Sequence, residues 1–277
     1  MSYLKKPPLP FQGNKSKWGE DYISLLNNNK EKYKNYTFVD LFGGSGYLSH
    51  LTIRTLPEST VIYNDHDYYI ERLNNIEETN RIIMECKNLT ESLPMLGKVP
   101  LDIRNEIIKI LDNNENIDYI TLSCYLMYSG YWARDRKNFV KNNFWKRFTK
   151  KFNGFNIEEC KNYLNNINVV HMDWKDLFNE YKNNNNVIFI VDPPYSETFT
   201  QSYDIGYRWD IRDDLKLIEI FKKPFILFNI KNAPLLNFID FINNNYNADI
   251  KYSKVEKRSR GTNKQQTWFD EIMIYNI

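Results

Sequence analysis

The chain has 277 residues, of which 42% are hydrophobic, and a formal net charge of +2 at pH 7. This length is sufficient for one large domain or for a domain with an insertion, and the overall charge does not indicate a polyanionic partner. Three widely spaced cysteines, Cys86, Cys124 and Cys160, exclude a disulfide or zinc framework and favour reduced thiols in the cytoplasm. No apolar run is long enough for a signal sequence or a membrane span, so we expect no membrane partner.

Short apolar runs alternate with helical stretches along most of the chain. Helices are predicted over residues 47–56, from Tyr68 onward, after Asp173 and after Pro234. Strands are predicted at residues 38–41, 61–64, 169–172, 187–191 and 225–228, followed by an antiparallel pair at 250–255 and 269–275. This alternation predicts an α/β fold with a doubly wound, mostly parallel, Rossmann-like sheet that ends in the antiparallel pair.

A long segment without strand signals separates the second predicted strand from the third. It is far longer than an ordinary crossover connection. Residues 103–111 and 117–128 within it have helical periodicity. We therefore predict an inserted, mainly helical subdomain over residues 75–165 and a main domain formed by residues 1–74 and 166–277.

The fourth predicted strand ends in the corner Asp192-Pro193-Pro194-Tyr195. The two prolines fix φ and remove two N–H donors, so neither helix nor strand continues through them. Open α/β sheets bind ligands at the carboxyl ends of their strands. A carboxylate, bare carbonyls and an aromatic ring could hold a planar amine there, although a purely structural Pro-Pro turn fits the same residues.

Further candidate site residues follow the other strands. The first strand runs into Asp40 and the glycine-rich turn of residues 43–46, which allows a ligand to approach the backbone. The dinucleotide spacing GxGxxG is absent, which argues against a nicotinamide enzyme. Asp65 ends the second strand, where such folds hold ribose hydroxyls, and Asp173 follows the third; each could instead cap a helix.

In this order along the chain, the motifs resemble those of the DNA adenine methylase (Dam) family, the alpha-type amino-methyltransferases. The resemblance begins with an FxGxK element at Phe11, Gly13 and Lys15 and continues through the glycine turn to the DPPY corner. The chain departs from the family by having Phe11 where Trp is common and Asp40-Leu41 where Glu-Pro is common. The resemblance implies a site-specific, adenine-specific DNA methyltransferase that uses S-adenosyl-L-methionine.

The same resemblance implies roles for individual residues. Pro194 and the rest of the DPPY corner would be catalytic: Asp192 and the Pro193 carbonyl would accept the two N–H groups of the target amine, and Tyr195 would stack on the flipped base. No metal or covalent nucleophile is required, and we assign no metal or catalytic role to the histidines. The residues expected to bind the cofactor are Phe11, Gly13, Lys15, Asp40, Phe42, Gly44, Gly46, Asp65, Asp173 and Asp192.

Basic and aromatic residues are interleaved in the carboxyl-terminal part of the insertion, from Tyr131 to Phe152. A charge run of this kind is often only a solvated face, but its place beside a base-modifying site favours a nucleic-acid interface. A second basic cluster precedes the last strand. The residues expected to contact double-stranded DNA are Tyr131, Arg134, Arg136, Lys137, Lys141, Lys146, Arg147, Lys257, Arg258 and Arg260.

The same motifs are compatible with other functions. A cytosine-N4 or RNA amino-methyltransferase could use the same corner, and a catalytically inactive DNA-binding homologue is the alternative that is not an enzyme. A protein-glutamine methyltransferase would favour Asn at position 192 and would not need the basic insertion. We expect a cytoplasmic monomer or weak dimer, with a cognate restriction enzyme as a possible partner.

Overall fold

A computed structural model of the chain describes residues 4–94, 98–127, 132–141, 153–195, 209–231, 233–246, 250–260 and 268–277. Seven strands within these residues form one sheet: β1 (Thr37–Asp40), β2 (Thr60–Asn64), β3 (Asn168–Val170), β4 (Val187–Val191), β5 (Phe225–Ile230), β6 (Ser253–Arg260) and β7 (Trp268–Asn276). The order is β3-β2-β1-β4-β5-β7-β6. The first five strands pair in parallel, and β7 runs antiparallel to both of its neighbours. The predicted fold class is confirmed.

Twelve α-helices occur in the described residues, and six of them lie between β2 and β3. In chain order they are α1 (Gly19–Asn28), α2 (Lys30–Tyr33), α3 (Tyr47–Thr55), α4 (Tyr69–Asn74), α5 (Ile76–Thr90), α6 (Leu101–Asp112), α7 (Tyr119–Leu126), α8 (Arg136–Lys141), α9 (Ile157–Asn162), α10 (Trp174–Tyr181), α11 (Ile211–Lys216) and α12 (Pro234–Tyr246). Short 3-10 helices cover Ser16–Trp18 and Leu217–Lys222.

The sheet is covered on both faces, which is why its central strands are continuously apolar. Alternate residues of β4 enter two different cores: Ile188 and Ile190 pack with residues of α1 and α3. Val187, Phe189 and Val191 pack with residues of α10 and α12. Burial on both sides fixes the register of β4, because a slip of one residue would exchange its two faces.

The third strand is shorter than the sequence indicates. It ends at Val170, whereas the prediction extended it to Met172. Beyond Val170, hydrogen bonds to the buried Asn64 side chain replace those of the β-ladder. Its amide nitrogen donates to the carbonyls of Leu41 and Met172, and its oxygen accepts from the Met172 N–H. Asn64 therefore ties together the segments that leave β1, β2 and β3, and the backbone after Val170 turns away from the ladder.

The chain divides into two compact units. One comprises Met1–Lys6, Gly13–Tyr69 and Leu164–Ile277 and contains the sheet; the other comprises Pro7–Gln12 and Ile70–Tyr163. The second unit, here called the helical unit, has its own apolar core. Its assignment to target recognition remains a prediction. The buried residues of this core include Ile82, Ile83, Cys86, Ile107, Leu111, Leu122, Leu126 and Phe139.

A buried ion pair lies within the helical unit. Arg72 Nε donates to Asp118 Oδ2 at 3.0 Å, and the two side chains are only 10% and 2% exposed. Asp118 also caps α7 by accepting from the Thr121 N–H, and Arg72 reaches the Pro10 carbonyl at 2.8 Å. The pair thus attaches the segment of residues 7–12 to the helices.

We expect Asp118→Ala to destabilise the protein by about 3 kcal/mol, because it leaves the Arg72 guanidinium buried without its carboxylate. The matched control is Asp112→Ala, which breaks the exposed Arg136–Asp112 pair and should change stability by less than about 1 kcal/mol. Urea unfolding of the full chain measures both. Equal, small losses in the two variants would contradict a structural role for the buried pair.

Candidate functional site

Two carboxylates meet at one edge of the sheet. Asp40 is the last residue of β1 and pairs in register with Ile190 of β4, so Asp192, two residues further on, follows the same edge. The Asp40 residue is 1% exposed, and the Asp192 side chain is 18% exposed. The parallel pairing of β1 with β4 therefore brings together residues from two separate predicted motifs.

Asp40 is a buried acid with an incomplete set of partners. The Ser49 hydroxyl donates to its Oδ2 at 2.7 Å, while its Oδ1 is buried and makes no hydrogen bond of good geometry. Burial, and to a smaller degree the Asp192 charge, raise the pKa of Asp40 to about 7, although the Ser49 and Phe42 hydrogen bonds and the Lys15 charge act to lower it. A cation beside Oδ1 would relieve this cost.

Asp192 has a cationic partner that the sequence did not indicate. Lys15 Nζ lies 2.5 Å from Asp192 Oδ2, and the Tyr195 hydroxyl lies 3.4 Å from Oδ1. Burial raises the pKa of Asp192, the Lys15 charge and hydrogen bond lower it, and Glu271 raises it. The structure places the Lys15 ammonium group against the DPPY carboxylate, and the cofactor role of Lys15 stays a prediction.

The glycine turn adopts conformations that side chains would strain. Gly44 and Gly46 have φ values of +52° and +66°. A Cβ at Gly43 would lie 2.2 Å from ring atoms of Tyr63, and one at Gly46 would lie 2.8 Å from Leu164. The turn can therefore lie this close to Tyr63 and Leu164 only because its glycines lack side chains. Phe42, beside it, packs against the Trp174 and Trp209 rings.

The two acidic residues after β2 and β3 both accept from N–H groups at the start of a helix. Asp65 is fully buried, and its Oδ1 accepts from the Tyr69 N–H at 2.7 Å and lies 2.9 Å from the Tyr63 hydroxyl. Asp173 accepts from the Lys175 N–H at 2.8 Å, and its side chain is 47% exposed. Their roles toward ribose and adenine remain predictions; the exposed Asp173 is open to a ligand, whereas Asp65 is enclosed.

Two aromatic residues near this edge were missed by the sequence analysis. Tyr68 stacks on His171 with ring centroids 5.3 Å apart and an interplanar angle of 20°. Tyr68 is 55% exposed and has a φ of +54°, which is uncommon for a bulky residue. His171 Nδ1 lies 2.8 Å from the Asp65 carbonyl. The positions of Tyr68 and His171 after two adjacent strands were the available signal.

The other predicted cofactor-binding and DNA-binding residues differ in how far they are exposed, and some lie outside the described residues. Phe11 is half-buried in the segment of residues 7–12, which belongs to the helical unit, and Gly13 has a φ of +76°. Lys137 and Lys141 are exposed on α8, and Arg134 before it is half-buried. Tyr131, Lys146 and Arg147 lie outside the described residues, and of Arg258 and Arg260 only the backbone in β6 is described.

Two of the predicted DNA-contacting residues have intramolecular acidic partners. Arg136 makes two hydrogen bonds to Asp112, at 2.6 and 2.9 Å, with both side chains exposed. Lys257 pairs with Asp21 and donates to the Lys17 carbonyl. The Arg136–Asp112 pair is exposed to solvent and to salt, so Arg136 can leave Asp112 for another anion. Lys257, in contrast, connects β6 to the start of α1.

Within the described ranges, no group of three or more acidic, cysteine or histidine side chains could hold a metal ion. None of the helices in those ranges is long and apolar enough to cross a membrane.

The raised pKa of Asp40 gives the protein a specific pH dependence. A carboxyl whose pKa rises from 3.8 unfolded to about 7 folded favours the folded state most at low pH. That contribution falls as the pH rises from about 4 to 7, by about 1.4 kcal/mol per unit. We expect Asp40→Asn to remove this slope in urea unfolding measured between pH 5 and 8. Parallel slopes in the variant and the parent would contradict it.

Comparison with known proteins identifies the family. A family model described as D12 class N6 adenine-specific DNA methyltransferase matches residues 11–259. The chain is 31% identical over 283 residues to a Haemophilus influenzae protein named "Putative methyltransferase", covering 99% of this chain and 93% of the relative. It is 22% identical to the ribosomal RNA small subunit methyltransferase A of Mycoplasma mycoides, and the match covers 95% of this chain and 97% of the relative.

Among solved structures, the chain is similar to precorrin-6y C5,15-methyltransferase from Geobacter metallireducens, with a TM-score of 0.40, 7% identity and full coverage of both chains. The match of the family model over most of the chain, with the DPPY corner and the glycine turn at one sheet edge, shows that the chain belongs to the D12 class N6 adenine-specific DNA methyltransferase family.

Proposed function

We propose that the protein transfers a methyl group to the N6 amine of an adenine in DNA. Its family makes the protein a methyltransferase, and the methyl donor is S-adenosyl-L-methionine. The observation that carries the proposal is the corner after β4, where Asp192, the Pro193 carbonyl and the Tyr195 ring follow one buried strand. These groups suit a planar amine that needs two acceptors and a stacking surface.

The residues present fit the methyl donor. Its methionine end carries an ammonium group, and Asp40 has a buried Oδ1 without a hydrogen-bond partner of good geometry. Gly44 and Gly46, which have positive φ values, leave the backbone of the adjacent turn uncovered by side chains. We propose that Asp40 holds the ammonium group and that the exposed Tyr68–His171 stack, beside Asp173, receives the adenine ring.

The chemistry requires the target nitrogen to present its lone pair. The exocyclic amine of adenine is a poor nucleophile because its lone pair is delocalised into the ring. Asp192 and the Pro193 carbonyl would accept its two N–H groups and favour tetrahedral geometry, with Tyr195 fixing the ring. Bound S-adenosyl-L-methionine would supply a methyl group activated by the positive sulfur, which leaves as a neutral thioether when its bond to the methyl group breaks. The methylated nitrogen then loses one of its protons, and the protein contributes mainly position and electrostatics.

The proposal of DNA as the substrate has two supports. One is the family, whose description names adenine in DNA. The other is the exposed basic face of α8, where Lys137 and Lys141 can contact phosphates and Arg136 can exchange Asp112 for a guanine edge or a phosphate. A paired adenine cannot reach the corner after β4, so the base would be flipped out at a cost of about a few kcal/mol.

RNA is the second candidate substrate. The similarity to a Mycoplasma mycoides protein named as a ribosomal RNA methyltransferase supports it, because adenine amines occur in both nucleic acids. Nucleoside analysis after incubation with labelled methyl donor separates the two: N6-methyldeoxyadenosine from duplex DNA supports the proposal. Methylation confined to RNA, or a methylcytosine product, would refute the proposed transfer to adenine in DNA.

We expect Asp192→Ala to reduce methyl transfer to duplex DNA by at least about 100-fold, because one of the two acceptors of the amine is lost. Binding of S-adenosyl-L-methionine, measured by calorimetry, should change much less. The control is Glu219→Ala, an exposed carboxylate on the Leu217–Lys222 helix, which should retain parent activity. Parent-level transfer by Asp192→Ala would contradict the assignment of the corner.

The salt dependence of DNA binding tests the α8 face. Replacing Lys137 and Lys141 together by Ala should flatten the slope of log affinity against log salt by up to about 2, because each phosphate contact contributes about 0.9. Lys109→Ala, an exposed lysine of α6 paired with Glu106, is the matched control. If both proteins keep the parent slope, the α8 lysines do not contact phosphates.

A further inference from the structure

Lys15 is enclosed at the DPPY carboxylate. Its ammonium group contacts Asp192 Oδ2 at 2.5 Å and donates to the Gly13 carbonyl at 2.8 Å, and its side chain is 7% exposed. It also lies 5.5 Å from the centroid of the Tyr195 ring and 6.0 Å from that of Phe228, within the range of cation–π attraction. Lys15 therefore has a defined position set by one carboxylate, one carbonyl and two rings.

The backbone around Lys15 is built to hold this position. Gly13 has a φ of +76°, which only glycine adopts without strain, and its carbonyl is the one that accepts from the Lys15 ammonium. The Lys15 carbonyl accepts from the Trp18 N–H at 2.8 Å, next to the Ser16–Trp18 helix. The spacing of glycine and lysine in the FxGxK element thus has a local structural cause.

The surroundings of Asp192 favour its neutral form. Burial raises the pKa of Asp192, and the charge of Glu271 on β7 raises it as well. A protonated carboxyl would accept the N–H of an amine poorly and would donate a proton instead. The Lys15 cation opposes this tendency, and the Tyr195 hydroxyl contributes a weaker, 3.4 Å contact.

We propose that Lys15 is a positioning residue that keeps Asp192 ionised and turns its Oδ1 toward the substrate amine. Lys15 occupies Oδ2, so Oδ1, on the side of the Tyr195 hydroxyl, is the oxygen left to accept from a stacked base. The ammonium group takes no part in bond making, and no proton leaves it. This inference rests on the proposed methyl transfer at Asp192 and goes beyond it by assigning what sets the charge of that carboxylate.

The test compares Lys15→Met, which keeps the length and removes the charge, with Lys15→Arg, which keeps the charge. Single-turnover methyl transfer is measured between pH 5.5 and 9 for both and for the parent. In Lys15→Met the acidic limb of the profile should move up by at least about one pH unit, since a close opposite charge shifts a carboxyl by about 1–3 units. Lys15→Arg should restore the parent limb.

The control variant is Lys17→Met, which removes an exposed charge two residues away and should leave the profile unchanged. The dissociation constant of S-adenosyl-L-methionine is measured for every variant. If this dissociation constant rises tenfold or more in Lys15→Met while the acidic limb stays in place, the inference is overturned in favour of a cofactor role. A uniform loss of rate at all pH values would overturn it as well.

A readout without substrate separates this inference from the proposed function. A carboxyl whose folded pKa is raised destabilises the folded state increasingly as the pH rises through that pKa. Lys15 also lowers the pKa of Asp40, so this test is made in the Asp40→Asn background. There, removing Lys15 raises the pKa of Asp192 alone, and the gap in Tm between Asp40→Asn and the double variant Asp40→Asn, Lys15→Met should widen from pH 5.5 to 8.5. A constant gap would overturn the inference even if N6-methyladenine is the product; a widening gap supports it whichever base is methylated.

Discussion

The parallel pairing of β1 with β4 is the constraint on which the site depends. It delivers Asp40 and Asp192 to the same edge, inside a protein core that disfavours both charges. Two carboxylates in such a place must be protonated or matched by cations. The protein supplies one cation itself, Lys15, and the methyl donor would supply the other. If the proposed contact with Asp40 forms, cofactor binding and the charge state of the site are coupled through the sheet.

The fold and the two central motifs could be predicted because they depend on local patterns. Apolar runs that end in glycines or prolines identify strand ends, and strand ends in a parallel sheet gather at one edge. The position of Lys15 could not be read in this way, because the sequence does not show which carboxylate a lysine reaches. The same holds for Tyr68 and His171, whose stacking depends on how the chain leaves β2 and β3.

Residues that cap helices show a second limit of sequence reasoning. Asp65 and Asp173 each admitted a cofactor role and a capping role, and the structure shows capping bonds for both. A capping bond leaves Asp173 able to bind a ligand, because its side chain remains exposed. Asp65 is less accessible to a ligand, because its side chain is enclosed. The basic residues divide similarly: Lys137 and Lys141 are exposed, whereas Lys257 is engaged within the protein.

The position of β7 between β5 and β6 has a consequence for the order in which the protein can mature. One edge of β5 is completed only by β7, and residues 231–267 separate the two strands along the chain. During synthesis, β5 therefore keeps an open edge until β7 has emerged, and open edges attract other strands. Glu271, a charge that acts on Asp192, arrives with β7. A ribosome-bound chain would thus hold the corner of residues 192–195 before its electrostatic surroundings are complete.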